Sequence, residues 1–424
     1  MKAIKRNVSS WLLGMLFIAP QFSWAQDAQL NIDSCYAMAK RNYPLTKQLG
    51  LIEKSKEYSI SNANKAYLPQ ISITAIAGYL DGMPSISIPG ESNEPSKTQF
   101  IGIAQLNQTI WDGGATRAQK NVIQANAEVE KANVEMNLQN LRERVNQIYF
   151  GILVIDEQVK HLGLLTQNLQ RNLNKIQLTK DNGYAFQSDV DEVKAEVLNV
   201  DQKKIEFRYA RKGYVDMLSH LIGQSLSENV QLTKPQPLET YSSLSNNRPE
   251  LKYYSKQRSL IEAKSSFNSV GNMPKIGLMG VGMMMQPGIS FGPSTFDHLT
   301  LIGATVSWNT NNLYKTSNNR QIDKIQSDMI VKQQETFEFN NNLQLKQASA
   351  EIEKQQAIVS KDAEIVALKE SITKSYQLKY DNGLASMIDL LTSINRESEA
   401  KSNQSLHNIQ LSLSIYNYKT ISGN

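Results

Sequence analysis

The residue types that carry out most enzyme and metal chemistry are few in this chain and lie far apart. The 424 residues include a single cysteine, Cys35, so no disulfide forms within the chain. The four histidines show no spacing typical of a zinc site; they are His161, His220, His298 and His407. No nucleophile motif, phosphate-binding loop or pair of catalytic carboxylates stands out. We therefore expect no enzymatic activity, no cofactor and no bound metal.

Five methionines form a second group of possible ligands: Met273, Met279, Met283, Met284 and Met285. Thioether sulfur is a soft ligand that suits Cu(I). However, side chains alternate between the two faces of a strand, so Met283 and Met285 share one face and Met284 lies on the other. Because the thioethers are divided in this way, the sequence favours lipid-facing filler over a metal site.

A turn motif occurs twice, 200 residues apart. Residues 177–183 read QLTKDNG and residues 377–383 read QLKYDNG. An aspartate follows each glycine by six residues, as Asp189 and Asp389. Glycine takes the positive φ that ends a helix, and Asp or Asn tolerates the same turn. Each motif therefore predicts a tight turn between two helices.

Other pairs of motifs share nearly the same offset, which indicates an internal duplication. Pro44 and Pro249 end related phrases, and Pro69 and Pro274 belong to another related pair. Both pairs are 205 residues apart. The expected organisation is a signal peptide at 1–25, repeat one at 26–228, a linker or equatorial segment at 229–246, and repeat two at 247–424.

The first 25 residues have the pattern of a secretory signal peptide. Lys2, Lys5 and Arg6 precede a short apolar stretch, and Ala25 supplies the small residue of the expected cleavage site. Cleavage there removes three positive charges and lowers the formal net charge from +5 to +2. This balance excludes the basic character of a nucleic-acid-binding protein. No later stretch has the roughly 18 consecutive apolar residues of a transmembrane helix.

Each repeat predicts the same order of elements: helix, strand, loop, strand, long helix, tight turn and helix. In repeat one, the first helix covers residues 31–65 with Asp33 as its N-cap. A loop at 81–98, rich in proline and glycine, separates the first two strands. The predicted strands are residues 71–79, 99–111, 276–285 and 298–308.

Repeat one also contains a long apolar seam. Thirteen positions from Val134 to Ile176 step alternately by four and three residues, and twelve of them are apolar. This period of about 3.5 residues is typical of a coiled coil. The pattern predicts one helix from Gly114 to Lys180, about 100 Å long at about 1.5 Å per residue, in an antiparallel hairpin over 134–222. The corresponding helices of repeat two, with a weaker seam, cover 316–380 and 386–421.

The predicted strands and hairpins cannot share one environment within a single chain. Strands of about ten residues are long enough to cross a bilayer. Four of them cannot close a barrel, because lipid excludes open sheet edges and the smallest membrane barrels have about eight strands. We therefore expect the chain to assemble with further copies of itself. The helical hairpins are too polar for lipid, so we expect them to project into water.

Taken together, these motifs resemble the outer-membrane efflux proteins, the TolC-like family. The resemblance rests on NNRPEL at 246–251, TIWDGGATRAQ at 109–119, and the paired turns KDNGYAFQSDVDEV and YDNGLASMIDLL, and it covers essentially the whole mature chain. It implies a mainly α fold with a transmembrane β-barrel: a trimeric 12-stranded barrel and a long α-helical periplasmic tunnel. The implied function is the outer-membrane duct of a tripartite efflux or type I secretion system in a Gram-negative-type cell.

The resemblance also implies partners and sites. The partners are two further copies in a homotrimer, a periplasmic adaptor protein, an inner-membrane transporter and outer-membrane lipid, with no nucleic acid. Adaptor docking is expected at the two turns, through Asp181, Asn182, Gly183, Asp381, Asn382 and Gly383. A periplasmic gate is expected from Asp189, Tyr380 and Asp389. The chain departs from the family pattern at Ala385, where an arginine is expected, and at Asn309–Asn312, which replace the DGG turn.

Two other classes of protein fit part of the pattern. A periplasmic coiled-coil adaptor also has a long helical hairpin, but only one, with soluble β-domains on either side. A self-contained porin would have many more strands and short periplasmic turns. The duplicated hairpin and the four strands favour the efflux duct over both.

Overall fold

The computed structural model describes residues 30–79, 81, 97–235, 245–286 and 296–424. The predicted signal peptide at 1–25 lies outside the described residues, as does most of the loop predicted at 81–98. Among the described helices, none is both long enough and apolar enough to cross a membrane.

Each repeat contributes one pair of strands and one long helical hairpin. The helices are α1 (Ile32–Asn42), α2 (Pro44–Asn64), α3 (Ala115–Asn137), α4 (Gln139–Asp181), α5 (Gln187–Ile222), α6 (Pro249–Val270), α7 (Asn311–Asp381) and α8 (Met387–Ser422). The strands are β1 (Gln70–Tyr79), β2 (Thr98–Trp111), β3 (Lys275–Gln286) and β4 (Asp297–Ser307). The predicted strands are confirmed to within one residue at each end.

The first predicted helix is two helices with a break at Tyr43. Pro44 starts α2, where its missing N–H costs nothing, and Tyr43 takes an extended conformation before it. The N-cap prediction was wrong by two residues. Asn31, not Asp33, caps α1, because its side-chain oxygen accepts the Ser34 N–H at 2.7 Å.

The long helix predicted from Gly114 to Lys180 is interrupted once, at Leu138. Leu138 keeps helical backbone angles, and its N–H still bonds the carbonyl of Val134 at 3.0 Å. The chain therefore continues from α3 into α4 in roughly one direction. Together the two helices have 66 residues, or about 100 Å at about 1.5 Å per residue.

The four strands form one antiparallel sheet in the order β1-β2-β3-β4. The β2–β3 pair joins the two repeats, with Ala104 opposite Gly282 and Leu106 opposite Gly280. Within the part of the chain that the structure describes, β1 and β4 are edge strands with one neighbour each. The sheet is therefore open, and its two edges leave backbone groups available for pairing.

The two faces of this sheet differ in polarity and exposure. One face carries polar residues such as Gln105 and Asn107 beside aliphatic ones such as Leu301, and most of its side chains on β2 and β3 are half-buried. The other carries Ile73, Leu106 and Ile302, which are exposed. From this difference in exposure we infer that the first face is concave and the second convex.

The register assigns the methionines to these two faces. Met279, Met283 and Met285 lie on the concave face, and Met284 lies on the convex face, where it is 54% exposed. Met283 and Met285 therefore share a face with Gln105 of β2 and with Leu299 of β4, and the interpretation of the cluster as lipid-facing filler stays a prediction for Met284 alone.

The hairpin of α4 and α5 packs as the seam predicts. Eight of the thirteen predicted seam positions are buried: Val134, Leu138, Leu141, Val145, Ile152, Ile155, Leu169 and Ile176. In the N-terminal part of α4, the single O–H of Tyr149 is shared between the carbonyls of Leu30 and Thr233, which lie 2.8 and 2.7 Å from its oxygen. This contact and a bridge between Leu30 and Leu232 bind the start of the predicted linker to the helical core.

The hairpin of α7 and α8 has a more polar seam. The buried residues of α7 are Asn341, Ile352, Gln355 and Asp362, of which only one is apolar. Asp362 accepts from His407 of α8 across this seam, at 2.9 and 3.1 Å. The weaker seam that the sequence predicted for repeat two is therefore confirmed.

Candidate functional site at the hairpin tips

Both DNG motifs form the same turn at the ends of the long helices. Gly183 and Gly383 have φ values of +82° and +72°. In the first turn, Gly183 N–H donates to the Lys180 carbonyl at 2.8 Å, and Tyr184 N–H donates to the Thr179 carbonyl at 3.0 Å. The second turn repeats this pattern. Such paired bonds satisfy the last helical carbonyls and require a left-handed residue, which is why glycine occupies both positions.

The tips present bare backbone and exposed apolar side chains. A Cβ added at Gly183 or Gly383 would meet no atom within 4 Å, so both glycines face open space. The residues immediately after them, Tyr184 and Leu384, are 86% and 78% exposed. Phe186 is also 78% exposed. These large apolar groups at the ends of two adjacent hairpins were not predicted from the sequence, and such exposed groups are typical of contact surfaces.

The two predicted gate aspartates act locally as helix caps. Asp189 accepts the Phe186 N–H at 2.9 Å. Asp389 accepts the Ser386 N–H at 3.1 Å, while the Ser386 hydroxyl accepts the Asp389 N–H at 3.2 Å. The second arrangement is a reciprocal capping box. The hydrogen bonds from Ser386 lower the pKa of Asp389. Both carboxylates therefore start the helix that follows the tip.

Tyr380 lies near Asp189. Its ring packs against the apolar cluster below the tips. Burial raises the pKa of Tyr380, and the nearby negative charges of Asp189 and Asp381 raise it further. Within the described residues, no hydrogen bond joins the Tyr380 hydroxyl to Asp189. The structure thus brings these two residues together without the bond that would latch them.

A different contact connects the two tips. Lys175 of α4 binds Asp381 of the second turn, with 2.5 Å between Nζ and Oδ1. This bond lowers the pKa of Asp381. From the sequence, Asp381 was expected only in adaptor docking and Lys175 had no predicted role, because the pair depends on how the two hairpins lie beside each other. Both side chains are substantially exposed, so the pair orients the tips more than it stabilises them.

An apolar cluster just below the turns holds the two hairpins together. It joins residues of α4, α5 and α8: Leu165, Leu169, Ile176, Val190, Val193, Val200, Met387, Leu390, Leu391 and Ile394. Leu169, Val190 and Val193 are fully buried. The tips are therefore fixed relative to each other by packing, and the caps and the Lys175 pair add orientation.

The TIWDGG motif positions the start of the first hairpin next to the sheet. The Asp112 carboxylate accepts the Thr116 N–H at 2.6 Å, the Gly114 N–H at 2.9 Å and the Tyr67 hydroxyl at 2.9 Å. These bonds lower its pKa to about 2, although burial opposes the shift. In repeat two Asn309 takes part of this role, since its side chain accepts the Asn311 N–H at 3.1 Å.

Residues 36–224 match the family model for outer membrane efflux proteins. The resemblance to the outer membrane efflux protein family is confirmed. This match covers the strands and the first hairpin of repeat one, including the tip at Gly183. No curated protein matches the chain significantly.

Solved structures with the same fold include several outer-membrane proteins. VceC from Vibrio cholerae has a TM-score of 0.66 at 12% identity, over 92% of this chain and 96% of VceC. The CmeC outer membrane channel of Campylobacter jejuni has a TM-score of 0.63 at 14% identity, over 100% and 94%. The MtrE outer membrane channel of Neisseria gonorrhoeae, in its open state, has a TM-score of 0.61 at 12% identity, over 92% and 88%.

At these identities the structural likeness shows the fold. Together with the match to the efflux protein family, it supports an outer-membrane efflux channel. In the part of the chain that the structure describes, no group of histidine, cysteine and acidic side chains is arranged to hold a metal ion.

Proposed function

We propose that this chain is one protomer of a trimeric outer-membrane duct. The duct receives cargo from an inner-membrane transporter through a periplasmic adaptor, in a tripartite efflux or type I secretion system. It performs no catalysis of its own. The observation that carries this proposal is an open four-stranded sheet joined to two helical hairpins, each with one arm of about 100 Å, formed by α3 with α4 and by α7.

The free edges of the sheet favour a closed ring of identical subunits. In the order β1-β2-β3-β4 each strand is antiparallel to its neighbour, so β4 runs opposite to β1. Placing β4 of one protomer beside β1 of the next continues the antiparallel alternation without interruption. Three protomers then give twelve strands, and every backbone group gains a partner, as lipid requires. The exposed aliphatic residues of the convex face fit contact with lipid.

The hairpin tips fit the contact with the adaptor. Two left-handed glycines let a partner approach the backbone closely, and Tyr184 and Leu384 offer apolar side chains beside them. The residues proposed for docking are Asp181, Asn182, Gly183, Asp381, Asn382 and Gly383. The caps at Asp189 and Asp389 keep the helices behind this surface in place.

The periplasmic gate is proposed to involve Asp389, Asp189 and Tyr380. Asp389 lies six residues beyond the tip glycine, about 9 Å along the helix at about 1.5 Å per residue. In a trimer, three copies of this carboxylate surround the axis and favour cations over anions. Tyr380 and Asp189 belong to the two hairpins whose separation would open the entrance.

The two alternative classes make different predictions. A periplasmic adaptor would be recovered from the soluble periplasm without detergent, and a self-contained porin would form a pore as a monomer. The open sheet and the duplicated hairpin favour neither. Extraction with detergent as a trimer distinguishes the duct from both.

The ring closure is testable by cross-linking the two sheet edges. Ile73 of β1 and Ile302 of β4 are 80% and 82% exposed on the same convex face. With cysteine at both positions and a bifunctional maleimide, we expect covalent dimers and trimers. The matched pair, with cysteine at Thr74 on the opposite face of β1 and at Ile302, is expected to give none. A monomer in native mass spectrometry in detergent would contradict the proposal.

A further inference from the structure

The methionines on the concave face have no role in the duct described above. Met279, Met283 and Met285 all point to the face that carries Gln105 and Asn107, and all three are half-buried there. If the concave face lines the duct, three thioethers of each protomer face its interior. This step rests on the proposed function.

The neighbours of these methionines do not require sulfur. Met283 lies between Ile103 and Leu299, and Met285 lies beside Ile101. At such positions, β-branched residues are favoured in strands and would pack as well. Repeated use of methionine at alternate positions on one face therefore points to the property that distinguishes it from isoleucine or valine, which is a soft and polarisable sulfur atom.

The spacing suits a pair of sulfur ligands and a third site further along. Alternate residues of a strand are about 6.7 Å apart, so the flexible side chains of Met283 and Met285 are able to converge on one ion. Met279 lies four residues away, about 13 Å along the strand toward the helical part. Thioethers select soft cations such as Cu(I) and do not retain Mg²⁺ or Ca²⁺.

We propose that Met283 and Met285 form a weak site for a soft monovalent cation on the wall of the duct, with Met279 as a neighbouring contact. Two neutral ligands on an open face bind weakly, which suits a conduit, since an ion must leave as readily as it enters. The site lies toward the end of β3 away from the helices. A cation moving outward therefore contacts Met279 first and the pair last.

The test uses Ag(I), supplied as silver nitrate, as a soft ion that does not change oxidation state. The whole protein is purified in detergent with ¹³C-methyl-labelled methionine and titrated by NMR. We expect the methyl signals of Met279, Met283 and Met285 to shift, while those of Met284 and Met329 stay in place. Met329 is an exposed methionine of α7 and reports binding that is not specific to the sheet.

Two double variants make the result decisive. Met283→Leu with Met285→Leu removes the pair, and Met284→Leu with Met329→Leu removes the same number of thioethers from other surfaces. Leucine has nearly the volume of methionine, so both are expected to fold and to trimerise as the wild type does. We expect the first variant to bind silver at least tenfold more weakly than the wild type, and the second to bind it as the wild type does. Equal binding by the two variants, or unmoved signals of Met283 and Met285, would overturn the inference.

Channel conductance of the same preparations separates this inference from the proposed function. Wild-type protein that forms channels but does not bind silver would refute the thioether site and leave the duct intact. Wild-type protein that forms no channels would refute the duct, and with it the assignment of the concave face to an interior wall.

Discussion

The tip glycines allow the stability of the turn and the docking of a partner to be separated. An ordinary L-residue in the left-handed conformation costs about 1–2 kcal/mol. The cost is smaller for asparagine, because its short side chain forms a hydrogen bond with the local backbone. A Cβ at Gly183 or Gly383 would meet nothing within 4 Å in the chain, so the cost of a substitution is the backbone term alone.

Alanine and asparagine at these glycines should therefore rank in opposite order in two assays, amide exchange at the tips and export by cells. Gly183→Ala with Gly383→Ala should speed amide exchange at Tyr184 and Leu384 by roughly 5–30-fold, the factor that corresponds to 1–2 kcal/mol. The double asparagine variant should exchange more slowly than this. Its larger side chain should nevertheless obstruct a partner more than alanine does, so export should be lower in the asparagine variant.

A glycine in the middle of a helix provides the control. A Cβ added at Gly213 of α5 would also meet no atom within 4 Å, and the φ of Gly213 is not positive. Gly213→Asn should change neither export nor exchange at the tips. If the double asparagine variant assembles and exports like the wild type, the tips are not the docking surface. If export is instead lower in the alanine variant, which also has the faster amide exchange, the glycines matter only for the stability of the turn.

Three further predictions concern the packing between the hairpins, the Asp112 carboxylate of the TIWDGG motif, and the gate. Leu169→Ala should lower the free energy of unfolding in denaturant by about 2–5 kcal/mol, because Leu169 is fully buried at the junction of the hairpins. Leu164→Ala, at a half-exposed position of the same helix, should lower it far less. The pKa of Asp112 is lowered from 3.8 to about 2, so its ionised form stabilises the fold above about pH 4, and this stability is lost as the pH falls toward 2. Asp112→Asn should therefore weaken the fall of the melting temperature between pH 4 and pH 2. An unchanged fall would contradict this. Asp389→Asn should reduce the cation preference of the channel, because it removes one negative charge from each of the three copies around the axis; a wild-type preference would place the acidic ring elsewhere.

The strands and helices were predictable because their signals are local. The end of each long helix follows from the DNG motif, and the Ser386–Asp389 capping box has the serine and acidic residue at the spacing that marks a helix start. The break before Pro44 was also readable, since proline favours the first turn of a helix and extends the residue before it. These features depend on a few neighbouring residues.

Features that depend on tertiary packing were not predictable. Leu138 keeps helical angles, so no residue in the sequence marks the interruption between α3 and α4. The Lys175–Asp381 pair joins residues 206 positions apart and requires the relative placement of two hairpins. Both faces of the sheet carry aliphatic residues, so alternation alone did not show which face holds Met283 and Met285. The register across four strands was needed to decide this.

The most direct test of the central claim is the single-channel conductance of the purified protein in planar lipid bilayers. A trimeric duct predicts discrete current steps of uniform size, carried by a detergent-extracted trimer. The same steps should be absent from preparations of monomer separated from that trimer. Conductance by the monomer would support a porin, and a protein that stays in the soluble fraction and never conducts would contradict the proposed duct.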